Sequence, residues 1–565
     1  MKSRVARIVP LLFASGLTSL IYQVAWMREL RLVFGFSTAA SGAVVAIFLG
    51  GLGLGSWLLG RRADEVRRPL HFYGRLELGI AGSAAATPLL IWLVRQLYVA
   101  MGGSFVLGFV GGTALRLLLS ALVLAVPTVL MGGTLPAASR AVETREDPNR
   151  RRLAVLYGAN TLGAVAGVTL STFWLQELLG THLMLWAACV VNALVALVAM
   201  RVGRTWKVSE SEIAAAEKGS PVPADSPGPA SGRTTRFVIS AAAIVGFAFG
   251  LMELVWYRML APLLGGSTYT FGLILAVALA GIGVGAALYG LTRGQRSATL
   301  AAFATTCGLE ALFLAIPYAL GDSVALFAAL QRPIGSFGFG GYVWSWTEVT
   351  ALVVFPAAFV SGVQFPLLVG LLGRGEQDVG RHVGQAYAWN TLGAILGSLA
   401  GGFGLLPILS APGTWIAVVL LLVLLGARAL FLSTRLEGRW LPVIPAAVAL
   451  AASVGLINTT GPTAAWRHSP IGAGRVEFSN AAPNGLRAWL RDQRRRLQWE
   501  AEGIESSVGL FRTTVGYAFA INGKIDGSSV GDAPTQVMGG LVGAALHPGL
   551  KRALVVGLGT GSTAG

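Results

Sequence analysis

Apolar runs long enough to cross a bilayer recur along most of this chain, and they limit its fold more than any motif does. About 20 apolar residues in a helix span roughly 30 Å of hydrocarbon. After Met1-Lys-Ser-Arg-Val-Ala-Arg7 the first run extends to about Ala25, and others follow near 38–60, 73–98, 104–130, 153–175 and 180–200. Six comparable runs lie near 237–257, 268–290, 299–320, 345–372, 383–407 and 413–432, with a shorter one at 441–457. No small-residue cleavage site follows the first run and more spans come directly after it, so it reads as a membrane helix and not as a secretory signal. The expected fold is an all-α polytopic membrane bundle of about thirteen helices, with the lipid bilayer as its partner.

Composition agrees. A mean hydropathy of +0.67 and a charged fraction of 12% exclude a water-soluble protein and a disordered one, since soluble domains carry about a quarter charged residues. Cys189 and Cys307 lie in separate apolar runs far apart in the chain, which suggests neither a disulfide framework nor a thiolate metal site. No metal is expected. The excess of 43 basic over 26 acidic residues reads as Lys and Arg in cytoplasmic loops, with no nucleic-acid partner.

The runs repeat at one constant offset in numbering. Trp26-Met-Arg28 matches Trp256-Tyr-Arg258, and at the same offset Gly35, Ser37, Gly51, Gly53, Gly55 and Gly60 fall on Gly265, Ser267, Gly281, Gly283, Gly285 and Gly290. Gly132-Gly-Thr-Leu-Pro136 pairs with Gly362-Val-Gln-Phe-Pro366, and Tyr157-Gly-Ala-Asn-Thr-Leu-Gly-Ala164 with Tyr387-Ala-Trp-Asn-Thr-Leu-Gly-Ala394. Six spans per half give both halves one orientation, so they are parallel repeats about an axis along the membrane normal, as in major facilitator transporters. The glycine strings read as helix-packing surfaces.

With the N-terminus cytoplasmic, short cytoplasmic loops receive Arg61, Arg62, Arg67, Arg68, Arg140, Arg145, Arg150 to Arg152, Arg293, Arg296, Arg374, Arg381, Arg428, Arg435 and Arg439, and the opposite loops are nearly bare. A thirteenth helix at 441–457 then puts the remainder on the extracytoplasmic side, whereas the remainder is cytoplasmic if that short segment lies in the interface or inside the bundle. The organisation is a first six-helix repeat at 1–202, a flexible cytoplasmic linker rich in Pro, Gly and Ser at 203–236, a second repeat at 237–432, a loop and thirteenth helix at 433–457, and a separate domain at 458–565.

Polar side chains inside apolar spans are expensive and mark function or interhelical hydrogen bonding. They are Tyr22, Gln23, Arg28, Glu77 and Asn160 in the first half and Glu253, Arg258, Glu310, Gln364 and Asn390 in the second. Asn160 and Asn390 suit interhelical hydrogen bonds, and Arg28 and Arg258 suit snorkelling at helix ends. Gln23, Glu77, Glu253 and Glu310 are the candidates for a central cavity that takes a cationic solute, with Trp256 as a cation–π wall beside Glu253.

In the last segment, Arg552-Ala-Leu-Val-Val-Gly-Leu-Gly-Thr-Gly-Ser-Thr-Ala-Gly565 reads as a strand entering a Gly-rich turn at Gly557, Gly559 and Gly561, which begins a Rossmann-like α/β domain. Its later strands would lie beyond Gly565, so this is expected to be a truncated product. Together with Tyr22-Gln-Val-Ala-Trp-Met-Arg28, Gly60-Arg-Arg-Ala-Asp64, Asn522-Gly-Lys-Ile-Asp526 and Asp532-Ala-Pro-Thr-Gln536, the chain resembles bacterial membrane proteins in which a major-facilitator-like bundle is fused to a spermidine synthase-like domain. The resemblance implies a small β-rich region at roughly 470–545, a decarboxylated S-adenosylmethionine-type cosubstrate at Gly557, Gly559 and Gly561, a polyamine near Asp532 and Gln536, and a catalytic Asp beyond Gly565. Ala533 and Gln536-Val537 depart from the Glu and Tyr-His with which that family contacts polyamine. The expected function is a polyamine-related aminopropyl transferase of the bacterial inner membrane, inactive at this length. The alternatives are a transporter of a small cationic solute and a polyamine-binding sensor or scaffold.

Overall fold

The computed structural model describes residues 2–565 apart from 35–37, 144–146, 148–149, 207–231, 293–297, 374–377, 438–442, 477–481, 550, 556–559, 562 and 564–565. Most of the sequence-derived linker therefore lies outside the described residues. The first half of the bundle comprises α1 (Lys2–Phe34), α2 (Thr38–Glu65), α3 (Pro69–Ala100), α4 (Gly103–Gly132) with the short α5 (Thr134–Val142) after it, α6 (Arg151–Leu170) and α7 (Gln176–Thr205). The second half follows the same order with α8 (Gly232–Leu264), α9 (Thr268–Leu291), α10 (Leu300–Leu320), the short α11 (Asp322–Leu330), α12 (Phe339–Leu372), α13 (Val379–Ala400) and α14 (Leu406–Glu437).

The two halves are built alike. Helix α6 runs into α7 through a π-helical turn at Ser171–Leu175, and α13 runs into α14 through one at Gly401–Leu405. A single non-helical residue then breaks each stretch into two spans, Gly180 with φ 69° and ψ 177° in one and Ser410 with φ 63° and ψ 169° in the other. Divided there, the long apolar helices make twelve spans among the described residues.

Small residues set how closely the helices approach. A Cβ on Gly16 would lie 1.8 Å from the Asn160 carbonyl oxygen, and one on Gly246 would lie 1.9 Å from that of Asn390, so α1 crosses α6 as α8 crosses α13. The glycine strings serve two neighbours at once. Gly55 abuts the Val129 carbonyl of α4, where a Cβ would come within 1.9 Å, and Gly285 abuts the Phe359 carbonyl of α12 at 2.0 Å. The middle glycines point the other way, across the junction between halves: Gly53 meets Thr391 of α13, and Gly283 meets Leu162 of α6.

Polar contacts tie the halves together at the end of the bundle that holds the N-terminus. Asp64 at the end of α2 accepts the backbone N–H groups of Gly380 and Arg381 at 2.9 and 2.8 Å. These are free donors of the first turn of α13, where a carboxylate is favoured. Arg150, fully buried, donates to the Val369 carbonyl at 3.4 Å and lies 3.0 Å from His382 Nδ1.

Helix α15 (Ile444–Ile457) lies along α10 and runs in the same direction, because Gly308 packs on Ala446 and Ala449 while Gly321, past the end of α10, lies against Gly461. Fourteen residues give about 21 Å of helix. Arg31 near the end of α1 is within electrostatic reach of Tyr257 on α8, and the Pro262 carbonyl in the last turn of α8 accepts the Gly472 N–H at 2.8 Å. The tail therefore sits on the face of the bundle opposite the N-terminus.

The tail contains α16 (Ala464–Arg467), α17 (Pro483–Arg496), an antiparallel sheet in the order β1 (Leu497–Glu502), β2 (Ser507–Arg512), β3 (Tyr517–Ile521) and β4 (Lys524–Ser528), and α18 (Ala533–Leu546). Asn522 and Gly523, with φ of 48° and 79°, form the two-residue turn between β3 and β4. Residues 551–555 are not a strand. The sheet ends at β4, and 551–555 pairs with none of its strands.

Candidate functional site

The four polar side chains expected in a common cavity occupy three different settings. Gln23 on α1 and Glu253 on α8 stand at equivalent positions of the two halves and are both half-buried. Among the described residues no hydrogen bond or opposite charge acts on the Glu253 carboxylate. Glu77 on α3 is wholly buried, and its Oε2 accepts Asn192 Nδ2 of α7 at 2.7 Å. Glu310 on α10 is 3% exposed and lies beside Gln364 of α12. Glu77 and Glu310 are thus each enclosed by residues of their own half, and the repeat does not bring them to one place. Trp256 is 1% exposed and lies edge-on to Phe249, 5.8 Å between centroids, inside the second-half core. It packs there within a core of buried apolar side chains.

Asn390 donates to the Ala242 carbonyl of α8 at 3.1 Å, the interhelical bond expected of it. Arg258 differs from the expectation. It does not snorkel into solvent or lipid headgroups: only 8% of its side chain is exposed, and it reaches into the tail. Its guanidinium meets Glu502 Oε2 and the Gly503 carbonyl at 3.0 Å each and the Ile504 carbonyl at 2.8 Å. Arg467 then bridges Glu502 and Glu500 at 3.0 and 2.6 Å, and His468 Nε2 lies 2.9 Å from the second oxygen of Glu500. The His468 hydrogen bond, with Arg467 beside it, holds the Glu500 carboxyl down to about 2.

Further contacts seat the tail on the same half. Trp466 is fully buried, donates to the Met259 carbonyl at 2.7 Å and packs edge-on against Trp415. Asp322, at the start of α11, accepts the Thr463 N–H and Arg494 Nη2 at 2.8 Å each. Arg332 donates to the Ile471 carbonyl at 3.0 Å. The Asn522-Gly523 turn is part of the seat too, because a Cβ on Gly523 would lie 2.6 Å from the Ser469 carbonyl and 2.9 Å from Pro262 Cβ.

The tail residues expected to bind small molecules lie around α18. Asp532 precedes the helix and is exposed. Gln536, one turn into the helix, accepts a hydrogen bond from Thr560 through its side chain, and Thr563 Oγ1 donates to its backbone carbonyl at 3.0 Å. Gly561, with φ 81°, lies between those two threonines in the left-handed region that glycine tolerates. A Cβ on Gly527 of β4 would touch Gln536 Nε2 and Thr560 Cγ2 at 2.6 and 2.7 Å. Gln536 and Gly561 are thereby brought to one corner, while Gly557 and Gly559 lie outside the described residues.

No known family model matches the chain. It is similar to polyamine aminopropyltransferase 2 of Streptomyces coelicolor, 32% identical over 226 residues that make up 38% of each protein. It is also similar to polyamine aminopropyltransferase of Mycobacterium tuberculosis, 32% identical over 258 residues, 41% of this chain and 46% of that one. The chain spans less than half the length of these curated relatives. The S. coelicolor match is longer than the whole tail after Ile457, so the likeness reaches into the helical bundle. Among solved structures, a bacterial homologue of the iron transporter ferroportin aligns with TM-score 0.47 at 12% identity over 80% of this chain and 99% of that one. The major facilitator superfamily proton:xylose symporter XylE aligns with TM-score 0.44 at 14% identity over 75% and 95%.

Proposed function

We propose that this chain is a membrane-anchored, spermidine synthase-like transferase acting on a polyamine, with a decarboxylated S-adenosylmethionine-type donor. The observation that carries this reading is the length of the match to proteins named for aminopropyl transfer, which exceeds the soluble tail and takes in part of the bundle. A transferase whose anchor is shared with such proteins is more specific than a likeness confined to one soluble fold. In the reaction, the amine nitrogen of the acceptor attacks the carbon next to the sulfonium. The new C–N bond forms as the C–S bond breaks, sulfur keeps the electron pair as a thioether, and a carboxylate takes the amine proton. Gln536 and the loop at Gly561 would contribute to the donor side and Asp532 to the amine side. The bundle lies in the bacterial inner membrane with the N-terminus cytoplasmic, which places the tail outside. Membranes carrying residues 1–565, supplied with labelled donor and putrescine, are expected to yield no labelled spermidine, whereas a longer form carrying the catalytic Asp expected beyond Gly565 is expected to yield it, and Gly561→Val in that form to abolish the yield. Transfer by residues 1–565, or its absence from the longer form, would sink the reading. A reporter fused after residue 470 tests the side of the tail.

A second reading, transport of a cationic solute, rests on Glu253, a carboxylate without a neutralising neighbour among the described residues, on a helix that begins a half. Glu253→Gln should abolish uptake of labelled putrescine with normal insertion, and unchanged uptake rejects it.

A further inference from the structure

We infer that a cavity at the foot of α3 binds an anionic phosphate group, carried either by a lipid headgroup or by a phosphorylated solute. It encloses about 330 Å³ and is lined by Arg62, Arg68, His71 and Arg75 on its polar side and by residues that include Phe72, Leu76 and Leu130 on its apolar side. No acidic residue lines it among the described residues. Of the carboxylates nearest in sequence, Asp64 and Glu65 line a neighbouring depression with Arg61, Asp378 and Arg381, Asp64 already engaged by the N–H groups of α13, and Glu77 is wholly buried and accepts from Asn192. One depression therefore carries charges of both signs, and the charged residues lining the other are all basic.

Two further features select phosphate over a general affinity for anions. The cavity lies at the first turn of α3, where the positive end of the helix dipole adds to the charge of the guanidinium groups. Arg68, His71 and Arg75 follow at three- and four-residue spacing and so share one side of the helix. Arginine presents paired donors that match the oxygens of a phosphate. Leu54 and Leu58, eight and four residues before Arg62 on α2, and Leu78, three after Arg75 on α3, are about half exposed, at 49%, 48% and 47%, within apolar spans. A phosphodiester held by the arginines could lay its acyl chains along these leucines, as basic pockets beside membrane helices do with anionic lipids.

The full-length protein, purified in detergent, would be titrated separately with phosphatidylglycerol, phosphatidylcholine and inorganic phosphate, and the bound species counted by native mass spectrometry. The variant R62Q/R68Q/R75Q is compared with R487Q/R491Q/R495Q, which removes the same charge from α17 in the tail. The single variant R68Q guards against a misfolded triple. Wild type and the tail variant should retain phosphatidylglycerol at least tenfold better than the triple variant, and R68Q should fall in between. Retention that survives millimolar inorganic phosphate makes the lipid the source, and displacement by it makes a soluble phosphate the source. Equal retention by wild type and the triple variant, or phosphatidylcholine held as well as phosphatidylglycerol, overturns the inference.

Discussion

Arg258 at the end of α8 and Glu502 at the end of β1 pair at 3.0 Å, with 8% and 2% of their side chains exposed. A bundle helix and a tail strand therefore share one buried charge pair, and the two partners are 244 residues apart. Removing one member of such a pair leaves the other charged and unpartnered, at a cost of about 3–5 kcal/mol. Arg258→Gln should loosen the tail, read as a fall of about 100-fold or more in amide-exchange protection across β1 and β2. Arg28, the equivalent residue of the first half, is exposed, and Arg28→Gln should leave that protection unchanged.

The same network gives the seat a pH limit. Glu500 is held down to about 2 by His468 and Arg467, below its ordinary 4.5. A depressed carboxyl contributes its full stabilisation above the ordinary value and loses it as pH falls through the folded value. Docking of the tail, followed by the fluorescence of the buried Trp466, should hold from neutrality to about pH 4.5 and weaken from there towards pH 2. Glu500→Gln should remove the part of this dependence that belongs to the pair.

Close helix contacts predict unequal tolerance among glycines. Gly55→Ala would drive a methyl group into the Val129 carbonyl, 1.9 Å from the ideal Cβ, and must separate α2 from α4. At Gly82 of α3 an added Cβ meets nothing within 4 Å. Gly55→Ala should lower the thermal unfolding temperature in detergent by several degrees. Gly82→Ala should leave it level or raise it slightly, because alanine is the better helix former by about 1 kcal/mol.

The bundle is largely legible in the sequence because its signals are local: hydropathy marks each span, and a constant offset in numbering places the second half once the first is read. Asn390 is legible for the same reason, as a polar residue inside an apolar run has few outlets other than a neighbouring helix. Arg258 is not. An arginine near a helix end has the same local pattern whether it meets headgroups or a strand far along the chain. Asn192, the partner of Glu77, has Leu422 as its counterpart in the second half, so a search guided by repeated polar positions does not find it. The 551–555 segment has the composition of a strand, but a strand is defined by its neighbour, and composition does not reveal whether one is present.

Ser410 carries backbone strain that its counterpart avoids. Its φ of 63° and ψ of 169° lie in a region essentially reserved for glycine, and Gly180 occupies the equivalent position with φ 69° and ψ 177°. Ser410→Gly should stabilise the break within α14 by about 1–3 kcal/mol, read as a rise in unfolding temperature. Gly180→Ser should cost a similar amount.

Comparison of the halves also exposes an unmet hydrogen bond. In the first half Trp26 Nε1 donates to Thr87 Oγ1 at 2.9 Å, linking α1 to α3 within the core. The second-half counterpart of Thr87 is Pro317, which offers no side-chain acceptor, and Trp256 Nε1 is buried with no partner among the described residues. A buried donor left unpaired costs about 1–3 kcal/mol. Pro317→Thr should supply the acceptor from α10 and restore a backbone N–H to that helix, since proline lacks one. The expected result is a higher unfolding temperature and a shift of the Trp256 indole stretch towards that of a hydrogen-bonded donor in ultraviolet resonance Raman spectra, isolated by difference from Trp256→Phe. Pro317→Val restores the N–H without the acceptor, so a Raman shift with Thr and none with Val assigns the effect to Trp256. Equal spectra for the two variants would show that Trp256 does not reach position 317.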